Sequence, residues 1–130
     1  METQIAVCGV IPKEDKILLL RRVNSDEFAK SGSWTLPGGR VKRCEPPDEA
    51  ILREVKEETG LNVVVVKPLK ISSGTKGAVW RISIDYLCKF IGGTVKLSKE
   101  HDDYVWASID DLDRMNVEKW IKETATLARQ

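Results

Sequence analysis

Pro46-Pro47 and Gly60 bracket one run of helical character, and the residues on both sides of it read as strands. A proline in the first helical turn sacrifices no intrahelical hydrogen bond, and a glycine just past the last turn takes the left-handed conformation that ends a helix. The spacing therefore predicts a helix from the proline pair to about Glu58, set among extended segments. Residues 4–11 (QIAVCGVI) and 16–20 (KILLL) are apolar runs separated by PKED and read as the paired strands of a hairpin. Residues 24–33 are polar and small and read as a surface loop long enough to help wall a pocket. Residues 62–73 and 79–90 are rich in β-branched and aromatic side chains, with residues 74–77 as their connection. A short strand around residues 104–107 precedes helical turns and a C-terminal helix over residues 110–129. So many strands and so few helices exclude a doubly wound sheet; the reading is an α+β domain with a mixed sheet.

At 130 residues the chain is long enough to bury a core without disulfides or a structural metal, and residues 1–130 are read as one domain. The net charge is +1, with 32% charged and 42% hydrophobic residues, so no basic field invites a nucleic-acid polymer and no segment is long and apolar enough for a membrane. Cys8, Cys44 and Cys88 are widely spaced and odd in number, which suggests neither a disulfide framework nor a zinc site. With no signal-like N-terminus, the expected location is cytoplasmic.

On a helix advancing about 100° per residue, Glu54, Glu57 and Glu58 fall within an arc of roughly 100°. Ile51, Leu52 and Val55 occupy the neighbouring sector and are expected to face a core, while Glu49 and Lys56 point to solvent. Three like charges on one face repel by a few tenths of a kcal/mol per pair, about 0.2–0.5 in an exposed helix, and by more when partly buried. A hard divalent cation offsets that repulsion, because magnesium prefers carboxylate oxygens and bridges to phosphates. Arg53, one turn before Glu57, is placed to hold that carboxylate. A cluster of glutamates on a helix is more often a solvated face; here Gly38-Gly39, read as a tight turn, and Glu45 at the helix entrance join the helix in one loop-helix-loop unit.

Residues 39–61, GRVKRCEPPDEAILREVKEETGL, resemble the Nudix box, G-x5-E-x7-R-E-U-x-E-E-x-G-U with U aliphatic. Gly39, Glu45, Arg53, Glu54, Val55, Glu57, Glu58, Gly60 and Leu61 fill every fixed position. Many relatives carry an acidic residue soon after the glycine pair and a glycine before the first glutamate, where this chain has Lys42 and Cys44. The resemblance implies the Nudix fold, an α/β/α sandwich with a mixed sheet and a loop-helix-loop catalytic motif. It also implies a bound Mg2+, for which Mn2+ substitutes, held by Glu54, Glu57 and Glu58. Downstream, Glu100 ahead of Trp106 resembles the extra metal-site glutamate of MutT-like members, although His101, Asp102 and Asp103 crowd the same loop.

The implied reaction is hydrolysis of a nucleoside diphosphate linked to a group X, with Glu54 or Glu100 as general base and Arg53 as orienting partner. Arg21 or Arg22, Gly38, Gly39 and Trp34 are the expected substrate contacts, and Phe28, Trp80 and Trp106 are further aromatic candidates for stacking on a base. The box lacks the downstream proline of ADP-ribose hydrolases and the tyrosine of dinucleoside polyphosphate hydrolases. That leans the reading towards a nucleoside triphosphate, normal or oxidised, cleaved to a monophosphate and pyrophosphate. ADP-ribose, dinucleoside polyphosphates and nucleotide sugars remain open as substrates, as do a catalytically silent nucleotide-binding module and an isoprenoid diphosphate isomerase. A homodimer is common among such proteins.

Overall fold

Ile17, Leu18, Leu19 and Leu20 are all buried, and because side chains alternate along a strand, such a run needs a packed layer on each face. Both layers are present in the computed structural model, which describes residues 1–130. The elements in order are β1 (Glu2–Val10), β2 (Pro12–Lys13), β3 (Lys16–Arg22), β4 (Trp34–Thr35), β5 (Gly38–Arg40), α1 (Pro47–Thr59), β6 (Asn62–Lys76), β7 (Val79–Gly92), β8 (His101–Ala107), α2 (Ile109–Leu112) and α3 (Lys119–Leu127). Leu18 and Leu20 pack with Ile51 and Val55 of α1, while Ile17 and Leu19 pack with Leu112 of α2 and Ile121 and Ala125 of α3. The result is an α/β/α sandwich with helices on both sides of the strands. No helix is long and apolar enough to cross a membrane.

One sheet runs β5-β1-β7-β6 and is mixed: β1 pairs parallel with β7 and antiparallel with β5, and β6 pairs antiparallel with β7. The other is built on β3, which pairs antiparallel with β2, β4 and β8. The hairpin expected between residues 4–11 and 16–20 is therefore corrected. Only Pro12 and Lys13 pair with β3, and β1 crosses into the other sheet. The reason is burial: Val7 and Val10 belong to the two different core clusters, so β1 needs neighbours and cover on both sides. The β6–β7 ladder likewise runs on to Lys76↔Val79, so Gly74 lies within a strand and the turn is at Gly77, at φ 57°. The last strand starts earlier than expected, at His101, and the C-terminal helix begins only at Lys119.

Helix α1 starts and stops where its prolines and glycine direct. Pro46 caps it in extended conformation, Asp48 and Glu49 sit in its first turn, and Gly60 at φ 74° donates its N–H to the Lys56 carbonyl. Ala50, Ile51, Val55, Glu58 and Thr59 are its buried residues, and each fully buried aliphatic side chain contributes about 1.5–3 kcal/mol. Leu52, expected to face the core, is 36% exposed. Glu58 takes that place instead, since seven residues after Ile51 and three after Val55 it falls on the same line of the helix.

Candidate active site

Gly38 and Gly39 bring the strand β5 under the carboxylate face of α1. Neither is in a turn, as was expected; both lie in β5 with no left-handed backbone, and what glycine supplies is close approach. A Cβ at Gly38 would collide with the Val7 carbonyl oxygen and lie 2.7 Å from Cys8 Cα, and one at Gly39 would lie 2.6 Å from the Glu54 carboxylate. The Gly38 N–H donates to Glu58 Oε1 at 3.1 Å.

Arg53 organises the rest. Its Nε and Nη2 donate to the two oxygens of Glu45 at 2.7 and 3.0 Å, and Nη1 donates to Glu54 Oε1 at 2.8 Å and Glu57 Oε2 at 3.1 Å. The guanidinium fork matches a carboxylate in this two-point way. Arg53 does hold Glu57, as its spacing suggested, but its principal partner is Glu45, which also accepts the Lys42 N–H at 3.0 Å. The hydrogen bond from Arg53 draws the Glu45 carboxyl down to about 2. Glu45 is thus spent as the anchor of the clamp.

Glu58 is 3% exposed. Burial, and then the Glu54 carboxylate within hydrogen-bonding reach, push its carboxyl far above the ordinary range, and Glu100 is close enough to add to the effect. The structure thus pairs Glu58 with Glu54 and leaves Glu100 within electrostatic reach, whereas the Glu57 side chain is 54% exposed and turned to Arg53. No three acidic, histidine or cysteine side chains stand in a ready ligand cluster. The donor set nevertheless fits a hard cation: oxygen ligands only, crowded against a backbone N–H, with one carboxylate that burial and its carboxylate neighbours push towards the protonated form.

Of the arginines, Arg21 turns to Asp102 at 2.8 Å and lies over the Trp34 ring, 5.6 Å from its centre. Trp34 lines a surface groove of about 430 Å3 with Tyr104, Arg114 and Met115. Arg22 points elsewhere, to Asp26 at 3.4 Å and the Asn24 carbonyl at 3.1 Å in the 24–33 loop, and the Val23 N–H donates to the Glu100 carbonyl at 3.0 Å. That loop thereby joins the carboxylates to the sheet. His101 is buried, with Nδ1 unpartnered; burial and then Arg22 lower its ring to about 4, so it is neutral near pH 7. Trp106 meets Phe90 edge to face in the core, and Trp80 is 40% exposed.

Behind β5 a polar thread crosses the sheet. Thr124 of α3 donates to Asp85 Oδ2 at 2.7 Å and Cys8 Sγ donates to Asp85 Oδ1 at 2.9 Å, and Cys8 stands opposite Gly38. Burial and then Asp85 raise the Cys8 thiol, and burial raises Cys88 to about 12; Cys44 is exposed and free.

Missing from the sequence reading are Gln4 and Arg81. Arg81 donates Nε and Nη2 to Gln4 Oε1 at 3.1 and 2.7 Å and lies 4.0 Å from the centre of the Phe28 ring. The available signal was a lone arginine inside the apolar run VWRISI.

The family model for the NUDIX domain matches residues 2–128. The chain is 36% identical over 125 residues to an ADP-ribose pyrophosphatase of Methanocaldococcus jannaschii, covering 92% of this chain and 71% of that protein. It is 26% identical to the nucleoside triphosphatase NudI of Escherichia coli, over 98% of this chain and 97% of the other. Among solved structures, the MutT protein of Methanosarcina mazei superposes with a TM-score of 0.84 at 30% identity, covering 98% and 94% of the two chains. The clamp of Arg53, the glutamate face of α1 and the glycine strand beneath it lie within a NUDIX domain that fills nearly the whole sequence, and the chain belongs to the Nudix family of pyrophosphohydrolases.

Proposed function

We propose that the protein is a Mg2+-dependent pyrophosphohydrolase that cleaves a nucleoside triphosphate, normal or oxidised, into a monophosphate and pyrophosphate. The observation that carries the reading is the pairing of Glu54 with Glu58 against Gly38-Gly39 while Arg53 fixes Glu45, Glu54 and Glu57. Glu57, Glu58 and Glu100, with Glu54 beside them, would hold the ion, and Mn2+ would serve in its place. When bound, a divalent ion supplies neutralisation of phosphate charge and a more acidic water.

Glu54 is the better-placed base, because Arg53 orients it through Oε1 and it stands beside Glu58, where a carboxylate can accept the proton of the attacking water. The water oxygen bonds to phosphorus, the bridging P–O bond breaks and pyrophosphate leaves with the bond electrons. Arg21 or Arg22 would steady the phosphates, each giving up its present partner, Asp102 or Asp26, to do so. A cytoplasmic enzyme acting on free nucleotides fits this chemistry. The ADP-ribose pyrophosphatase relative, at 36% identity, favours ADP-ribose as a second reading.

The test is chromatography of products after incubation with magnesium and a panel of normal and oxidised nucleoside triphosphates, ADP-ribose and dinucleoside polyphosphates. A monophosphate from the triphosphates, lost in Glu58→Gln, supports the reading. Turnover of ADP-ribose alone selects the second one, and no turnover with magnesium or manganese leaves a nucleotide-binding module.

A further inference from the structure

The face of the mixed sheet away from α1 is covered at its two ends, and between them runs a strip in which Ala6 is 9% exposed. Gln4 stands opposite Arg81, Ala6 opposite Ser83 and Cys8 opposite Asp85, so these pairs share one face. At the Asp85 end, Thr124 of α3 covers the sheet; at the Arg81 end, Phe28 of the 24–33 loop covers it. The strip between carries the small side chains Ala6, Ser83 and, from β6, Ser72 opposite Ser83, flanked by Arg40 of β5 opposite Ala6. Gly38, which holds Glu58, stands opposite Cys8 at one end of this strip. From Cys8 to Gln4 is four residues, about 13 Å of strand, a length that a nucleoside polyphosphate covers.

Arg81 is a built feature at the far end. Two of its N–H groups converge on Gln4 Oε1, and its guanidinium carbon lies over the Phe28 ring. Gln4, itself 8% exposed, donates in turn to Glu2 Oε1 at 3.1 Å. Burial is the largest influence on Arg81, and Asp26, Arg40, Glu27 and Arg22 are its charged neighbours, which joins it electrostatically to the loop that Arg22 grips. A cavity of about 570 Å3 opens beside this unit, lined by Glu2, Glu27, Lys76 and Val79 among others. Guanidinium donates only and stays charged, so its remaining N–H groups need an acceptor. An exocyclic amino group would leave them unpaired, and a site built to hydrogen-bond rejects partners that cannot respond.

We propose that Arg81, held in place by Gln4 and Phe28, selects the substrate by its acceptor edge, favouring the keto bases guanine and uracil over the amino bases adenine and cytosine. The inference rests on the pyrophosphohydrolase reading for where the phosphates lie. A phosphate at the far end of a longer substrate is a second source of the same acceptor chemistry, and the test separates the two.

The test compares kcat/KM for GTP, UTP, ATP, CTP and ADP-ribose in the natural protein and in Arg81→Met, Arg81→Lys and Phe28→Leu, each checked for folding by thermal denaturation. The expected result is a keto preference of about tenfold or more that falls to within about threefold in Arg81→Met, chiefly through KM, with Arg81→Lys between the two. Equal losses on all four triphosphates would assign Arg81 to phosphate and overturn the proposal, as would an unchanged ratio. Calorimetric binding of non-hydrolysable methylene analogues of GTP and CTP, with magnesium, gives an arm independent of turnover. A keto preference in binding that Arg81→Met removes upholds the inference even where no substrate is hydrolysed, a result that sinks only the hydrolase reading; equal binding of the two analogues overturns it.

Discussion

Adjacent glycines do different work at the site. At Gly38 an added methyl meets backbone, the Val7 carbonyl and Cys8 Cα, whereas at Gly39 it meets the end of the Glu54 side chain. Backbone in a paired strand has nowhere to go, but a glutamate swings. Gly38→Ala is therefore expected to cost more than about 2 kcal/mol of stability. Gly39→Ala is expected to leave the melting temperature within a few degrees while lowering turnover by about tenfold or more through a displaced Glu54. Thermal denaturation beside a pyrophosphate-release assay separates them, and an inactive but fully stable Gly38→Ala would refute the backbone argument. Cys44 holds φ 64°, a conformation that costs a side-chain-bearing residue about 1–2 kcal/mol and glycine nothing comparable. After allowance for the greater freedom of unfolded glycine, Cys44→Gly is expected to stabilise the fold by roughly 0.5–1 kcal/mol in urea denaturation. An unchanged or lower midpoint would show that the strain is relieved elsewhere.

The loop-helix-loop element is locked by Arg53, and its response to acid follows from Glu45. Because the folded carboxyl titrates near 2 rather than 4.5, its contribution to stability is complete above about pH 4.5 and disappears as pH falls through 2. Carboxyl-carbon NMR should place the Glu45 midpoint near 2, and Arg53→Lys, which removes the fork, should move it up; a midpoint near 4.5 in the unaltered protein would mean the clamp is absent in solution. This element was the most legible part of the sequence. Proline, glycine and three-and-four spacing act over a few residues, so the bounds of α1 and the shared face of Glu54, Glu57 and Glu58 were fixed locally. Glu58 was legible too, through its alignment with Ile51 and Val55, although it was placed beside the apolar sector instead of within it. Pairing was not. The parallel partner of β1 lies in β7, where Cys8 meets a residue 77 positions away, and no local pattern distinguishes that partner from the nearby run at 16–20. Gln4 and Arg81 were hidden for the same reason, being 77 residues apart in sequence.

At the scale of the whole molecule, a cation that binds only the folded chain stabilises it by mass action. Magnesium at about one hundred times its dissociation constant should add about 2.7 kcal/mol, or roughly 10 °C in melting temperature. Glu57→Gln and Glu58→Gln should each abolish most of that shift, and a shift that survives in both would place the ion elsewhere. The thread from Thr124 through Asp85 and Cys8 to the strand carrying Gly38 has a consequence in time as well as in space. Helix α3 follows every other element described, so it is synthesised after them. A nascent chain with both sheets already paired still leaves Asp85 without the hydroxyl that holds it, and the floor beneath the carboxylates is completed only when the last helix docks.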